Sequence, residues 1–405
     1  MTGDPETWNA RRPCPQCGAV SVQTVHKGRY VLPTDHPLDS VVHVVACTVC
    51  GFCFNDTPNA REDYDRYYRD ISKYADPRLS SGSGAVSEDR ERLRETASDI
   101  RDFAAGADQR ILDIGCGAGG LLDSLAEFGF RYLSGMDPAP ACAAAVSERG
   151  HRGVVGTLDN HPIDPGAFDG VILSHVLEHV RDVPAALASI ARLLTPQGWL
   201  YVEVPDAARY GECLIAPFQD FNLEHINHFS AATLHNALNA CGWETVRNGS
   251  KTLPLPHGRR YPAIFAFSRP AGSLAALQDL GTRDALGAYV ALSEEFMQRI
   301  DQRLQQSVAG HRVVVWGVGQ LTMRLLGEST LGDADIAVFV DSNPVHHGRT
   351  LAGRPIVAPH ALASHVDADT PIVIGSLVNL ESIEASIRNH GLRNPIIRLV
   401  AMESV

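Results

Sequence analysis

The stretch Asp113-Ile-Gly-Cys-Gly-Ala-Gly119 decides the fold of the middle of this 405-residue chain. It follows an apolar run at 110–114 that is typical of a strand, and it opens into a helix-like stretch at 120–127. A second short strand at 132–136 then ends on Asp137. Glycines at such a turn let the backbone approach a bound molecule closely, and the helix start offers unpaired N–H groups. Strand, turn, helix, strand and acid in this order predict a nucleotide-type ligand, with Asp137 on the two hydroxyls of its ribose.

The acidic residue in front of the glycines indicates which ligand is bound. Asp113, Gly115, Gly117 and Gly119 have the order Asp-x-Gly-x-Gly-x-Gly, which resembles the class I methyltransferase signature for S-adenosylmethionine (SAM). Dinucleotide sites use Gly-x-Gly-x-x-Gly to receive a pyrophosphate anion. SAM has no phosphate and carries a sulfonium and an α-ammonium group, so a carboxylate near the turn favours it. The alternative is a doubly wound domain with no ligand at this turn.

The residues that follow continue the alternation of strands and helices. Asp159 and Asn160 come after a third strand, where the resembling family places an acid or amide near the adenine. His175 ends the fourth strand as either a cofactor contact or a packing residue. The fourth to seventh strands are expected within 168–179, 199–204, 244–247 and 262–267. We therefore predict an α/β fold: a Rossmann-like seven-stranded parallel sheet with helices on both faces and its ligand at the carboxyl ends of the strands.

The composition of the chain limits its possible domain organisation and the kinds of partner that it can have. With 44% hydrophobic and 20% charged residues, the chain is expected to fold into several globular domains. A net charge of −12 argues against a nucleic-acid partner, since phosphate neutralisation needs clustered Lys and Arg. No apolar run is long enough to span a bilayer, and the first 13 residues lack a signal-peptide core. We expect a cytoplasmic protein with no membrane partner.

Four of the nine cysteines are regularly placed. Cys14 and Cys17 form one Cys-x-x-Cys pair, Cys47 and Cys50 form another, and a glycine follows each pair. Four thiolates suit the tetrahedral demand of Zn²⁺ and leave no position open for water, so we predict a structural zinc. Two redox dithiols or two coincidental surface pairs are the alternatives. Cys53 either replaces a ligand or is a buried bystander.

A tyrosine-rich segment, Tyr64-Asp-Arg-Tyr-Tyr68, precedes Tyr74 and the stretch Ser80-Ser-Gly-Ser-Gly84. The Ser/Gly stretch is typical of a flexible joint or a lid loop. The tyrosines either line a substrate cleft or pack the cysteine module on its neighbour.

The strongest candidate for chemistry is Phe221-Asn-Leu-Glu-His-Ile-Asn-His-Phe-Ser230, after the fifth strand. A methyltransferase aligns a nucleophile with the sulfonium methyl and often needs a base to expose that nucleophile. We predict that His225, oriented by Glu224, is this base, with His228 as a further candidate. A metal site is less favoured because no third strong ligand is obvious nearby, and a purely structural role is also open.

The cysteine pairs, the SAM motif, the Glu-His segment and a Rossmann-like tail together resemble the nucleotide-sugar C-methyltransferases. These enzymes methylate dTDP-keto-sugars in antibiotic biosynthesis, and the resemblance implies that the Glu224-His225 pair removes a proton next to a ketone. The tyrosine that the family has two positions before the Glu-His pair is replaced by Asn222, which leaves transfer to oxygen or nitrogen open. The implied organisation is a small zinc module at 1–75, the SAM domain at 76–270 and a Rossmann-like α/β domain at 271–405. The acceptor is then a nucleotide-linked sugar or another natural product; a zinc-containing binding scaffold with a vestigial SAM fold is the rival class.

The tail contains a second glycine turn, Trp316-Gly-Val-Gly-Gln320, followed by a strand that ends on Asp341. Its third glycine is missing, with Thr322 in that place. A nicotinamide cofactor is therefore weakly supported, and the segment Gly348–Pro355 resembles nucleotide-sugar-binding modules. We predict a substrate-holding domain, with a degenerate repeat that has no ligand as the alternative.

Overall fold

The computed structural model describes residues 7–72, 83–84, 86–255, 258–275 and 277–400. Tyr74 and residues 80–82 of the Ser/Gly stretch lie outside these residues. The described residues divide into two compact units. The first unit takes its residues from Met1–Val25, Val44–Cys213 and Glu224–Leu286, and the second from His26–His43, Leu214–Leu223 and Gly287–Val405. The first unit holds most of the cysteine segment, which we define as residues 7–55, together with the central sheet. The division at 1–75, 76–270 and 271–405 stays a prediction.

Strands predominate at the start of the chain, and helices and strands are interspersed from residue 61 to residue 308. The strands are β1 (Thr7–Asn9), β2 (Ser21–Arg29), β3 (Val41–Cys47), β4 (Cys53–Asn55), β5 (Arg110–Ile114), β6 (Tyr132–Asp137), β7 (Arg152–Val155), β8 (Phe168–Ser174), β9 (Leu194–Pro205), β10 (Asn227–His228), β11 (Trp243–Pro254) and β12 (Arg260–Pro270). The helices are α1 (Arg61–Asp70), α2 (Ser87–Phe103), α3 (Gly120–Glu127), α4 (Pro140–Glu148), α5 (Val183–Leu193), α6 (Ala231–Ala240) and α7 (Gly281–Val308). Three of the five boundaries between the units fall within β2, β3 and α7.

The central sheet has seven strands in the order β11-β12-β9-β8-β5-β6-β7. Strands β9, β8, β5, β6 and β7 are parallel, as predicted from the alternation of strands and helices. One strand differs from the prediction: β12 pairs antiparallel with both β9 and β11, so that β11 runs in the same direction as the parallel strands. Only the five residues 255–259 separate β11 from β12 along the chain, and so short a connection permits only antiparallel pairing.

Both faces of this sheet are covered, because successive side chains of a strand point to opposite faces. Ile111, Ile172 and Tyr201 pack with α2 and α3 on one face, in a cluster that includes Leu93 of α2 and Leu122 of α3. On the other face, the residues next to them along the strands pack with α5 and α6; these are Leu112, Val171, Leu173, Leu200 and Val202. The predicted Rossmann-like architecture is confirmed.

A separate five-stranded sheet carries the cysteine pairs, with the order β1-β2-β3-β4-β10. Its last strand, β10, comes from the Glu-His segment and pairs antiparallel with β4, with His228 opposite Cys53. The cysteine segment and the candidate catalytic segment are therefore parts of one sheet within the first unit.

The second unit contains a parallel sheet with one antiparallel edge strand. Its elements are β13 (Arg312–Trp316), α8 (Gln320–Glu328), β14 (Asp335–Val340), β15 (Thr350–Leu351), β16 (Arg354–Val357), β17 (Ile372–Ile374), α9 (Leu380–Asn389) and β18 (Ile396–Arg398). The sheet order is β15-β16-β14-β13-β17-β18. Central strands β13, β14 and β17 are buried apolar runs, as expected for a sheet covered on both faces. Among the described residues of either unit, no helix is both long and apolar enough to cross a bilayer.

Candidate active site

The first glycine turn has the backbone that its sequence predicts. Gly115, Gly117 and Gly119 have φ values of 71°, 51° and 86°, a region that residues with a side chain rarely adopt. A Cβ atom on Gly115 would lie 2.6 Å from Cγ2 of Val176. The turn therefore needs glycine for its conformation, and at Gly115 also for its contact with the loop that follows β8.

Asp137 at the end of β6 closes this turn. Its Oδ2 accepts the N–H of Gly117 at 3.1 Å, and its Oδ1 accepts the N–H of Ala139 at 2.9 Å. A carboxylate oxygen has more than one lone pair, so each oxygen keeps the capacity to accept a ribose hydroxyl. The turn and the acid fit the ribose end of a SAM molecule.

Both acidic residues beside the turn are buried, which disfavours their charged forms. Burial raises the pKa of Asp137 to about 6, against the lowering effect of its two backbone hydrogen bonds. Burial, with the nearby charge of Asp137, raises the pKa of Asp113 to about 8. A ligand with cationic groups would offset this cost, whereas a pyrophosphate would add to it.

The predicted adenine residues lie in a tight turn after β7. Asn160 is exposed, and its carbonyl oxygen accepts the N–H of Thr157 at 2.9 Å. The Asp159 carboxylate forms an ion pair with Arg61 of α1 at 3.0 Å. Asp159 is thus engaged by a neighbouring helix, and the adenine-binding role of both residues stays a prediction.

His175 has a strained backbone at the carboxyl end of β8. Its φ is 55°, although it is not a glycine, and such outliers cluster at functional sites. Its Nδ1 lies 3.4 Å from Oε1 of Glu178, and its Nε2 lies 3.2 Å from Oε1 of Glu203. Burial lowers the pKa of His175, but the two carboxylates outweigh it and raise the pKa overall.

Glu203 is the centre of a buried network that the sequence did not reveal. It is completely buried on β9, and it forms an ion pair with Lys251 of β11. Its Oε2 also accepts the hydroxyl protons of Tyr201 at 2.6 Å and Thr96 at 3.1 Å. Burial alone would raise the pKa of Glu203, but Lys251 and His175 hold it well below its ordinary value. An acid in the middle of an apolar strand was the only sequence signal.

The Glu-His segment gathers side chains from three parts of the first unit. Tyr67 of α1 donates its hydroxyl proton to Oε1 of Glu224 at 2.7 Å. His179, from the loop after β8, has its Nδ1 3.0 Å from the carbonyl oxygen of Glu224. The rings of His179 and His225 lie 4.9 Å apart, centroid to centroid, at an angle of 68°. We name Tyr67, Glu178, His179, Glu224 and His225 the polar cluster.

The backbone that carries this cluster is fixed from two sides. The N–H of Ile226 bonds to the carbonyl oxygen of Glu178 at 2.9 Å, and the amide of Asn227 donates to Leu177 and Val180. From the cysteine segment, the buried Arg12 donates to Oδ1 of Asn227 at 2.6 Å. The polar cluster therefore depends on both the loop after β8 and the cysteine segment. Val176, which contacts the glycine turn, lies in that same loop.

His228 lies in a different environment from His225. It is completely buried in β10, with its Nδ1 3.3 Å from the hydroxyl of Tyr210. Burial, with a smaller contribution from the charge of Arg12, lowers the pKa of His228 to about 3. These properties favour a packing role, and we leave His228 out of the polar cluster.

The four paired cysteines converge in the first unit. Their sulfur atoms all lie within 4.8 Å of one another, with Cys14 and Cys50 at 3.6 Å and Cys17 and Cys47 at 3.6 Å. Zn–S bonds of about 2.3 Å in a tetrahedron would place the sulfurs about 3.8 Å apart. The four thiols therefore fit a tetrahedral ion. Cys53 is not in the group; it is a buried thiol that donates to the carbonyl oxygen of Gly51.

Comparison with known proteins identifies the central domain. Residues 88–248 match the model of a family described as a methyltransferase domain. Two curated relatives are named ubiquinone biosynthesis O-methyltransferase. The one from Albidiferax ferrireducens is 32% identical over 25% of this chain and 43% of its own length. The one from Rhodopseudomonas palustris is 38% identical over 23% of this chain and 38% of its own length. This chain thus spans less than half of either relative.

Solved structures of methyltransferases are also similar to this chain. A 1,6-didemethyltoxoflavin-N1-methyltransferase from Burkholderia thailandensis is 21% identical and covers 56% of this chain and 98% of its own, with a TM-score of 0.39. A SAM-dependent methyltransferase from Methanosarcina mazei is 18% identical and covers 43% of this chain and 98% of its own, with a TM-score of 0.37.

The family match and the strand order define residues 88–248 as a class I SAM-dependent methyltransferase domain. SAM is the cofactor of this class of domain. The ligand roles predicted for the individual residues remain proposals.

Proposed function

We propose that this protein transfers a methyl group from SAM to a hydroxyl-bearing acceptor. The observation that carries the proposal is the contact between the glycine turn and the loop after β8, which brings Val176 to the turn and supplies His179 to the polar cluster. A cofactor seated on the turn would then have proton-handling groups nearby. The relatives named ubiquinone biosynthesis O-methyltransferase favour oxygen as the methylated atom.

In the simplest form of the mechanism, Asp137 binds the ribose and Asp113 lies near the cationic part of SAM. His225 accepts the proton of the acceptor hydroxyl, as its sequence context predicts. The acceptor oxygen then bonds to the methyl carbon, the carbon–sulfur bond breaks, and its electron pair goes to sulfur to give S-adenosylhomocysteine. Tyr67 and Glu224, which are hydrogen-bonded to each other, complete the polar environment of the acceptor.

A nucleotide-linked sugar remains the second candidate acceptor. It is favoured by the elements outside residues 88–248, namely the cysteine centre and a second unit with its own parallel sheet. The substrate-holding role of the second unit stays a prediction. Incubation with SAM and panels of phenols, hydroxy-ketones and nucleotide sugars, followed by mass spectrometry, tests both candidates. Formation of S-adenosylhomocysteine with a methylated acceptor is expected; no transfer to any hydroxyl-bearing acceptor would count against the proposal.

We further propose that Cys14, Cys17, Cys47 and Cys50 hold a structural zinc ion. Because β4 pairs with β10, loss of the ion should disturb the polar cluster as well as the cysteine segment. Cys47→Ser should lower turnover and increase proteolysis before residue 60, while S-adenosylhomocysteine still binds. Full zinc retention in Cys47→Ser, by elemental analysis, would argue against this centre.

A further inference from the structure

Three side chains of the polar cluster form a compact set of potential metal ligands. One carboxylate oxygen of Glu178 and one ring nitrogen each of His179 and His225 all lie within 4.8 Å of one another. An ion bound to them at about 2.1 Å in a tetrahedron would require these atoms to lie about 3.4 Å apart. The sequence disfavoured a metal at this segment because no third ligand was close to Glu224 and His225. The loop after β8 supplies two further ligands, Glu178 and His179.

His179 is prepared for this role by its second ring nitrogen. Its Nδ1 is 3.0 Å from the carbonyl oxygen of Glu224, which can only accept a hydrogen bond. The proton of the neutral ring is therefore on Nδ1, and the lone pair is on Nε2, 3.9 Å from Oε1 of Glu178. Histidine ligands of metal ions are usually held in this way, with the other nitrogen donating to a carbonyl or a carboxylate.

Glu178 gives an independent indication of a bound cation. Its side chain is 2% exposed, and Oε2 has no hydrogen-bond partner among the residues that the structure describes. Its Oε1 is 3.4 Å from Nδ1 of His175. A buried carboxylate oxygen without a partner is costly, and coordination to a cation would remove that cost.

We infer that Glu178, His179 and His225 bind a divalent cation of the zinc type, with a position left open for an oxygen of the acceptor. Two imidazoles and one carboxylate are a ligand set of catalytic zinc sites, which keep a position for water or substrate and can expand to five ligands. The acceptor class that suits such a site has a hydroxyl next to a second oxygen, so that both oxygens reach the ion.

The catalytic consequence rests on the proposed methyl transfer. A coordinated hydroxyl ionises more readily, because the cation stabilises the resulting anion. Its proton passes to water, its oxygen bonds to the methyl carbon of SAM, and the carbon–sulfur electron pair goes to sulfur. His225 is then a ligand of the ion, and the cation takes over the activating role of a base.

Equilibrium dialysis of the full-length protein against Zn²⁺, without SAM or acceptor, tests the site directly. Wild type should hold about one zinc ion per chain more than His225→Ala or Glu178→Gln. His235→Asn is the matched control, because His235 is exposed on α6, and it should bind as much zinc as wild type. Equal zinc contents in wild type and both cluster variants would overturn the inference.

A measurement on wild type covers the case in which both variants misfold. Co²⁺ added to protein whose cysteine centre retains zinc should produce weak visible bands of nitrogen and oxygen coordination. A spectrum with only intense thiolate bands, or with no bands, would overturn the site. Failure of the proposed function has a different signature, since zinc would bind the cluster while no acceptor became methylated.

Discussion

The two glycine turns of this chain are built on the same plan and differ in what they leave available to a ligand. In both, the acid that ends the next strand accepts a backbone N–H of the turn. Asp137 accepts from Gly117 at 3.1 Å, and Asp341 accepts from Val318 at 2.6 Å. The acid at this position is therefore part of the fold and does not by itself identify a ligand site.

The differences lie in the glycines and in the residues around them. Gly319 has an ordinary φ of −92°, in contrast to the left-handed Gly117 that it matches in the motif. In the second turn, Val315 occupies the position that Asp113 has in the first, two residues before the first glycine. The hydroxyl of Thr322 also bonds to the carbonyl oxygens of Gly317 at 2.6 Å and Gly375 at 3.1 Å. The second turn is thus closed by its own side chain, and we expect SAM only at the first.

The largest expected effect is a loss of turnover on substitution of a histidine in the first unit, with no such loss in the second unit. If His225 activates the acceptor, as base or as ligand, His225→Asn should lower turnover by roughly 10²–10⁴-fold. The affinity for S-adenosylhomocysteine should change little. His365→Asn, at an exposed histidine of the second unit, is the control and should retain turnover. A small loss in His225→Asn would indicate catalysis by proximity alone.

Asp137 and Asp341, the acids that close the two glycine turns, provide a matched pair of substitutions for testing the cofactor site. Asp137→Ala should weaken SAM binding by roughly 1–3 kcal/mol, because two hydroxyls lose their buried acceptor. Asp341→Ala removes the equivalent acid of the second turn and should leave SAM affinity unchanged. Isothermal titration calorimetry measures both. If Asp341→Ala weakened SAM binding as much as Asp137→Ala, the distinction between the two turns would be lost.

The glycines themselves sharpen the same distinction. Gly115→Ala would place a left-handed alanine 2.6 Å from Val176 and should destabilise the first unit by roughly 1–3 kcal/mol. A Cβ atom on Gly319 meets no atom within 4 Å, so Gly319→Ala should change stability by less than about 0.5 kcal/mol. Thermal unfolding of the two variants gives the comparison. Equal destabilisation would mean that both turns need glycine.

The smallest expected effect is a pH dependence confined to the first turn. Asp137 accepts hydroxyl protons as a carboxylate, and burial raises its pKa to about 6. SAM affinity should therefore fall as the pH drops through 6, by up to about tenfold per unit. Asp137→Asn should show a flat profile over this range. A wild-type affinity that rises on acidification would contradict the assignment.

Local sequence patterns predicted the features that depend on a few consecutive residues. The turn Gly115–Gly119 and the acid Asp137 are set by backbone geometry that glycine alone permits, and their positions are confirmed. The two cysteines within each pair lie close together for the same reason, since each pair lies in a short turn that ends in a left-handed glycine, Gly18 or Gly51. Short-range chemistry of this kind can be recognised without a structure.

Features that depend on distant strands could not be predicted in this way. Glu178 and His179 reach His225 only because the loop after β8 and the segment before β10 bond to each other. His228 was a candidate base by its spacing, but its burial follows from the pairing of β10 with β4. The spacing of residues along the chain carries no information about either contact.

The most direct test of the account is a calorimetric titration of wild-type protein with SAM, S-adenosylhomocysteine and NADH. The account predicts one site per chain for SAM and its demethylated product, sensitive to Asp137→Ala and insensitive to Asp341→Ala, and no binding of NADH at the first turn. Binding of NADH with no binding of either SAM or S-adenosylhomocysteine would contradict it.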